Sequence, residues 1–249
     1  MKTSFAAIAG LLLASAATPA FAQDAEEEAS GPITISGGIA VTSDYRFRGV
    51  SLSGEEVAVQ PTITVSHESG FYAGVWGSNL DDTPLYGEIE VDLYAGYNTD
   101  IAEGTNFDIG LIYYWYPDGD SAAGNSDYFE ILSKLSHDIG PVTATGTVGY
   151  SWEQSSLGDD DNLYLSLGLS AAIPDSPITL VGSVGYTDGA LGALASGGNY
   201  LDWQIGADFA AGPATFGVRY MDTDIESTGI NAIDTLYDET VVVTLGFSF

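Results

Sequence analysis

Charged side chains recur at every second position in several stretches of the chain. Two such sets are Asp44, Arg46, Arg48 and Glu88, Glu90, Asp92. Residues two apart share one face of a β-strand, so each set would place its charges side by side. Neighbouring carboxylates attract cations, and arginines among them form ion pairs. The spacing therefore indicates a strand face that attracts cations or forms ion pairs.

Catalytic chemistry has few candidate residues in this chain. A hydrolase needs a base beside a nucleophile, and the candidates for the base are His67 and His137. Both precede short turns, apart from the longer loops, so we predict no enzyme activity and no catalytic residues. The chain has no Cys, which excludes thiol catalysis and disulfides. The acidic loops do not match the EF-hand spacing, so we predict no metal site and no cofactor.

Composition narrows the class of protein. The 249 residues include 35 Asp and Glu against 5 Lys and Arg, a formal charge of −30. Such a charge excludes a nucleic-acid-binding protein, which needs a basic surface to displace counterions from phosphates. Hydrophobic residues make up 45% of the chain and aromatic residues 12%, which is too much for a disordered protein.

The first residues have the pattern of a secretory signal peptide. Lys2 supplies the positive charge, residues 6–16 the apolar region, and residues 20–22 a small-x-small cleavage site. We predict a signal peptide over residues 1–22, cleaved after Ala22, followed by an acidic periplasmic tail over residues 23–31. Residues 32–249 would then form the folded domain.

The folded domain alternates apolar and polar residues with a period of two, which predicts an all-β fold. In residues 142–153, for example, Val148 and Tyr150 alternate with Thr147 and Gly149. Twelve segments of this kind are predicted as strands: 33–48, 56–67, 70–78, 86–98, 106–116, 127–137, 141–153, 161–173, 177–187, 199–210, 213–222 and 238–249.

The connections between these segments alternate between short turns and longer polar loops. The longer loops are predicted at Gly49–Glu55, Asn79–Leu85, Pro117–Ser126, Gln154–Asp160, Asp188–Asn199 and Thr223–Tyr237. An even number of strands with short turns at one end and long loops at the other is typical of an outer-membrane barrel. We therefore predict a transmembrane, antiparallel, up-and-down β-barrel of about 12 strands.

Strand length and aromatic placement favour this barrel over a soluble β-sandwich, in which the apolar face would point inward. The segments are long enough for a tilted membrane crossing. Aromatic residues gather near segment ends, as in interfacial girdles, including Tyr45, Phe47, Phe71, Tyr97, Tyr113, Trp115, Tyr150, Trp152, Tyr186 and Tyr220.

In a barrel, the charged face would point into the lumen. The residues predicted to line it are Asp44, Arg46, Arg48, Glu88, Glu90, Asp92, Asp108, Glu130, Lys134, Asp202, Asp208 and Arg219. Acids outnumber bases in this set, which favours cations over anions. Ion pairing across a filled interior is an equally good interpretation, because alternation does not measure pore radius.

The last predicted strand ends on an aromatic residue. Val243, Leu245, Phe247 and Phe249 share one apolar face. A terminal strand of this kind would close the barrel against the first strand. It also has the character of the segment that the outer-membrane insertion machinery recognises, and we predict that these four residues form the insertion signal.

Four stretches resemble the TorF family of porin-like proteins of Gram-negative bacteria: Thr42–Ser51, Ser69–Asn79, Glu88–Tyr97 and Tyr113–Pro117. The resemblance covers essentially the whole mature chain. It implies an outer-membrane barrel and brings no established substrate or catalytic residues.

Together these patterns predict a porin-like channel in the outer membrane. It would pass small hydrophilic solutes or cations by passive diffusion through an acidic lumen. Its expected partners are outer-membrane lipid and lipopolysaccharide, the barrel-insertion machinery, and the solutes or cations themselves, with no nucleic acid. The alternative is a structural or adhesive barrel with a filled lumen that acts through its extracellular loops.

Overall fold

The computed structural model describes residues 31–249, which form a closed antiparallel barrel of twelve strands. The barrel strands are β1 (Ile33–Thr42), β4 (Ala58–His67), β5 (Phe71–Thr83), β6 (Gly87–Ala102), β7 (Thr105–Trp115), β8 (Tyr128–Ile139), β9 (Val142–Gln154), β10 (Asp160–Ala172), β11 (Ile178–Gly189), β12 (Asn199–Ala211), β13 (Ala214–Thr223) and β14 (Thr240–Ser248). The predicted signal peptide and residues 23–30 of the predicted tail lie outside the described residues.

Three short elements lie in the connections. A small hairpin of β2 (Arg46–Phe47) and β3 (Val50–Ser51) follows β1. The helix α1 (Asn231–Asp234) precedes β14, and single 3-10 turns occupy Ser155–Leu157 and Ala190–Gly192. No helix in residues 31–249 is long and apolar enough to cross a membrane.

Each barrel strand pairs with its neighbours in sequence, and β1 pairs with β14 to close the ring. At the closure, Gly38 lies opposite Ser248 and Thr42 opposite Thr244. The closed ladder leaves no barrel strand with an unpaired edge. The predicted fold class and strand number are confirmed.

The apolar face of the barrel points outward. On β10, Leu167 is 55% exposed on the outer surface, while its neighbours Ser166 and Gly168 face the lumen. The same alternation runs around the barrel and leaves large apolar side chains exposed on all twelve strands. A soluble β-sandwich would bury this face, so that alternative is excluded.

Aromatic pairs occupy both ends of the outer surface. Tyr113, Phe129 and Trp152 stack in a row at the end that carries the longer loops, with ring centroids 4.6 and 5.9 Å apart. Phe71 and Tyr97 pack 5.0 Å apart at the other end, beside the turn between β4 and β5. We call these ends the long-loop end and the short-turn end.

Two predicted strand ends differ from the structure by more than four residues. The first predicted strand, 33–48, ends at Thr42, because residues 43–57 leave the wall: residues 43–54 are buried or half-buried inside the barrel, and residues 55–57 are exposed where the chain returns to the wall. We call residues 43–57 the inner loop. The predicted loop Asn79–Leu85 is largely strand: β5 continues to Thr83 past an irregularity in its pairing with β6. Residues 84–86 make the turn.

Candidate functional site

The inner loop fills the long-loop half of the lumen. Tyr45 is 1% exposed and packs edge-on against Trp76 of β5, with ring centroids 5.3 Å apart. Phe47 packs against Tyr114 of β7 at 5.9 Å. Both aromatics therefore contribute to the lumen, and their predicted place in an outer girdle is wrong.

Arg48 joins the tip of the inner loop to the opposite wall. It lies 3% exposed, and its Nη2 donates to Glu130 Oε1 of β8. Its guanidinium also lies over the ring of Tyr164 of β10, 4.2 Å from the centroid. A charge-assisted hydrogen bond and a cation–π contact in a dehydrated site hold the loop tip firmly.

Arg46 organises the base of the inner loop. Its Nε donates to Asp44 Oδ2 at 2.6 Å, and Asp44 Oδ1 accepts from Ser51 Oγ at 2.6 Å. Arg46 Nη1 also donates to the backbone oxygen of Asp238 at 2.7 Å. The last contact ties the inner loop to residues 224–239, which connect β13 to β14.

Glu90 and Asp92 lie side by side on β6 beneath the inner loop. Glu90 is 1% exposed and Asp92 0%. Tyr116 Oη donates to Glu90 Oε1 at 3.4 Å. The carboxyl group of Glu90 also contacts the carboxyl group of Asp92 and the hydroxyl group of Tyr45, so the two acids lie in direct contact inside the wall.

Charged residues also lie at mid-barrel and toward the short-turn end. Arg219 Nη2 donates to both carboxylate oxygens of Asp208, at 2.8 and 2.7 Å. Asp108 accepts from Tyr72 Oη at 2.9 Å, and Lys134 lies opposite it in the pairing of β7 with β8. These acids therefore have polar or basic neighbours inside the barrel.

The remaining wall near the short-turn end is small and uncharged. Its lumen-facing residues on β9 to β11 include Thr145, Thr147, Ser166, Gly168, Ser170 and Ser183. All are half-buried, so water reaches them from inside the barrel. The interior is thus lined by small, partly accessible side chains toward the short-turn end, and the inner loop occupies the long-loop end.

The structure places most of the residues predicted to line the lumen inside the barrel. Eleven of the twelve predicted residues are buried or half-buried inside the barrel. Glu88 is exposed at the strand end. Asp44, Arg46 and Arg48 enter the lumen on the inner loop rather than on a wall strand. Their predicted role in lining a pore stays a prediction.

The sequence reasoning missed the lumen aromatics. Tyr94, Tyr114 and Tyr164 are buried inside the barrel. Tyr94 lies two residues after Asp92 on the same strand face, so the period of two already predicted that its side chain points into the lumen. Tyr114 and Tyr164 likewise sit on the polar side of their strands, where a large aromatic can fill a lumen.

The two histidines, which were the candidate catalytic bases, lie apart from each other and from the charged residues of the lumen. His67 contacts Ser69 and His137 contacts Thr105, both exposed near the short-turn end. Within residues 31–249, no group of three or more His, Asp or Glu side chains is placed to hold a metal ion.

A family model matches residues 26–249, a range that includes the whole barrel. The chain belongs to the Gcw_chp family of bacterial proteins of unknown function. The TorF resemblance is not part of that match and stays a prediction. No curated protein sequence matches the chain.

Solved structures with the same architecture include outer-membrane channels. The NanC porin superposes with a TM-score of 0.55 at 12% identity, covering 87% of this chain and 99% of the porin. The COG4313 outer membrane channel from Pseudomonas putida F1 gives a TM-score of 0.50 at 8% identity, covering 91% and 98% of the two chains. At such low identity these similarities establish the fold of this Gcw_chp member and nothing more.

Proposed function

We propose that this protein is an outer-membrane channel for passive diffusion of small hydrophilic solutes or cations. The observation that carries the proposal is a closed barrel whose outer face is apolar and whose interior is polar and charged. Such a wall is compatible with lipid outside and water inside. Two proteins with this architecture are a porin and an outer membrane channel by name.

Cations are the favoured solutes because acids outnumber bases in the lumen. The acids are Asp44, Glu90, Asp92, Asp108, Glu130, Asp202 and Asp208, and the bases are Arg46, Arg48, Lys134 and Arg219. An excess of fixed negative charge in a narrow lumen raises the local cation concentration and repels anions.

The inner loop would set the conductance of such a channel. It spans the lumen from Tyr45, against β5, to Arg48, against β8 and β10. Solutes would have to pass beside it or displace it. We therefore expect small, cation-biased currents from the native protein and larger ones when the loop is shortened.

A barrel with a filled lumen, acting through its extracellular loops, is the second candidate. The ion pair between Arg48 and Glu130 favours it, because a charge pair buried at this depth resists displacement of the inner loop. In this case residues 43–57 would be a permanent plug.

Single-channel recording separates the two candidates. The mature chain, residues 23–249, is refolded and studied in a planar bilayer under a KCl gradient, beside a variant in which a short turn replaces residues 44–57. Shortening the exposed loop 117–126 provides the matched control. The proposal expects cation-biased steps in native and control proteins, and larger steps in the inner-loop variant.

Silence from all three proteins, each shown to be folded by heat-modifiable gel mobility, contradicts the channel. Current from the inner-loop variant alone would favour a barrel that is plugged in its native state.

Placement in the outer membrane is part of the same proposal. The exposed apolar belt would contact lipid, the long-loop end would face lipopolysaccharide, and the barrel-insertion machinery would assemble the strands. These partners are supported by the apolar outer surface and by the aromatic rows at its two ends.

A further inference from the structure

The wall of the barrel is joined less completely between β4 and β5 than elsewhere. Every barrel strand has both its neighbours, but the backbone pairing of these two covers only residues 62–66 and 72–76. By contrast, β10 pairs with β11 over eleven successive residues. Toward the long-loop end, residues 58–61 of β4 and 77–80 of β5 therefore continue beyond their last backbone pair. We call these eight residues the seam.

The residue types at the seam explain why the pairing stops. The backbone N–H of Val59 points at β5, where it donates to the side-chain oxygen of Asn79 at 2.7 Å. Backbone groups two residues apart point to the same side of a strand, so the nitrogen of Pro61 also faces β5 and has no hydrogen to donate. A Cβ at Gly77 would meet no side chain of another strand within 4 Å. The seam thus combines a missing donor with open space.

A side chain and the inner loop hold the seam together in place of a ladder. Asn79 Nδ2 donates to Val57 O at 3.1 Å, and Asp81 N donates to Leu52 O at 2.8 Å. Val57 and Leu52 belong to the inner loop, so the end of this loop covers the seam where the chain returns to the wall. Asn79, Asp81 and Val57 are exposed, and water competes for hydrogen bonds between exposed groups. This part of the wall therefore opens at a lower cost than a complete ladder.

The side chains behind the seam are mainly apolar. Ala58 is 0% exposed, Trp76 6% and Leu80 9%, and they belong to one cluster inside the barrel. Gln60 and Ser78 are the polar side chains of this inner surface, and Gln60 Nε2 donates to Ser78 Oγ at 3.4 Å. An apolar chain that crossed the seam would thus meet apolar side chains on both sides of the wall.

We propose that the seam is a lateral port, through which the acyl chain of an amphipathic solute passes between the membrane and the barrel interior. The polar head of the solute would enter the charged interior, while its chain lies in the seam against Trp76 and Leu80. Each CH₂ kept out of water is worth about 0.8 kcal/mol, so a route with apolar surroundings is strongly favoured for such a chain.

The port goes beyond the proposed diffusion of hydrophilic solutes along the barrel axis. It rests only on the proposed placement of the apolar outer surface in lipid. Contact with lipid is measured without any current, so failure of the channel and failure of the port are separate results.

Fluorescence quenching by brominated lipid tests the port. Trp76 faces the interior, whereas Trp115, Trp152 and Trp203 lie on the outer face of the wall. Changing these three to Phe leaves Trp76 as the reporter. The mature chain is refolded into vesicles of phosphatidylcholine with dibromostearoyl chains, because bromine quenches tryptophan only at close range. We expect the loss of most of the Trp76 fluorescence relative to vesicles of unbrominated lipid.

Cross-linking across the seam supplies the matched comparison. The chain has no Cys, so Pro61→Cys with Gly77→Cys in the single-tryptophan protein places one thiol on each side, and a short bis-thiosulfonate joins them. This protein should be quenched before cross-linking and protected after it. The control is Leu167→Cys with Val184→Cys, two residues paired between β10 and β11, whose cross-link should leave the quenching of Trp76 unchanged.

Two results of these measurements overturn the port. Equal quenching before and after the seam is cross-linked would mean that bromine acts on Trp76 through an intact wall. No quenching in the folded single-tryptophan protein without Cys would mean that the wall stays closed to lipid.

Hydrogen exchange of the native protein in vesicles covers the case in which the variants do not fold. The backbone N–H groups of Val59, Gly77 and Asn79 should exchange several-fold faster than those of Leu165 and Leu167, which lie in strand paired on both sides. Equal protection of the two sets also overturns the proposal, because a port has to open.

Discussion

At the residue scale, the fit of the inner loop against the wall depends on a missing side chain. Gly149 of β9 faces the ion pair between Arg48 and Glu130. A Cβ at Gly149 would lie 2.9 Å from Glu130 Oε1 and 3.1 Å from Arg48 Nη2. Both distances are shorter than ordinary carbon–polar contacts, so a Cβ at this position would push the ion pair out of its present geometry.

We therefore predict that Gly149→Ala displaces the ion pair and costs about 1–3 kcal/mol, the usual range for overpacking. Gly146→Ala on the same strand is the control, because a Cβ at Gly146 would meet no heavy atom within 4 Å. Urea unfolding followed by tryptophan fluorescence measures both variants. Equal stability of the Gly149→Ala and Gly146→Ala variants would show that the inner loop can shift at this point without a measurable loss of stability.

A double-mutant cycle measures the coupling energy of the ion pair between Arg48 and Glu130. Arg48→Met leaves Glu130 buried without its cation and should destabilise the protein by about 3–5 kcal/mol. Adding Glu130→Gln removes the stranded charge and should restore part of that loss. The free energy of unfolding of the four proteins gives the coupling. Additive losses would mean that the two groups act independently.

At the element scale, the connection between β13 and β14 is organised around Asp234. Its carboxylate accepts hydrogen bonds from Ser227 Oγ at 2.6 Å, from Thr228 N and Oγ1 at 2.8 and 2.6 Å, and from Tyr237 Oη at 2.7 Å. The side-chain hydrogen bonds from Ser227, Thr228 and Tyr237 hold the pKa of Asp234 well below its usual range.

A depressed pKa gives the connection a pH dependence with a definite sign. The charged Asp234 is favoured by the fold, so its stabilisation is fully present above about pH 4, the unfolded pKa. It is lost as the pH falls below that value. Asp234→Asn should remove this dependence and raise proteolysis of residues 224–239 at neutral pH.

The control for Asp234→Asn is Glu226→Gln, an exposed carboxylate in the same connection. Limited proteolysis and hydrogen exchange between pH 3 and pH 7 compare the two variants with the native protein. Equal protection of the loop in Asp234→Asn and the native protein would contradict the role given to this carboxylate.

The inner loop also explains why one element was predicted wrongly. Residues 43–48 alternate like a strand because the β2–β3 hairpin is itself extended. Its turn is made by Arg48 and Gly49, with φ of 52° and 84°. Alternation reports an extended backbone, but it does not tell a strand in the barrel wall from a short hairpin inside the lumen.

At the scale of the whole molecule, barrel closure brings the two ends of the folded chain together. Phe249 N donates to Gly37 O at 2.9 Å, and Gly37 N donates to Phe249 O at 3.0 Å. The Phe249 side chain is 81% exposed on the outer surface. Its backbone thus extends the β1–β14 ladder while its ring faces outward.

We predict that Phe247→Ala with Phe249→Ala lowers the amount of assembled barrel in cells several-fold, because the apolar face of β14 would serve insertion. Phe216→Ala is the control, since Phe216 is similarly exposed on the outer face of β13. Membrane fractionation and heat-modifiable gel mobility measure assembly. An equal loss in both variants would indicate a general effect of apolar area and no specific insertion signal.

The sequence by itself determined which residues form the barrel wall and which of its two faces each side chain occupies. A period of two over long segments decides which side chains share a face, and the outward leucines of β10 and the inward acids of β6 follow from it. Short turns between successive segments then favour an up-and-down order. These features are local, so they can be predicted from neighbouring residues.

Only the tertiary structure decided what fills the lumen. The contacts of Arg48 with Glu130 and Tyr164 join residues 82 and more positions apart, and no local period encodes them. Closure of the ring brings β5, β8 and β10 within reach of one loop, and the space left by Gly149 lets that loop enter. The burial of Glu90 and Asp92 has the same origin, because it depends on closure of the whole barrel.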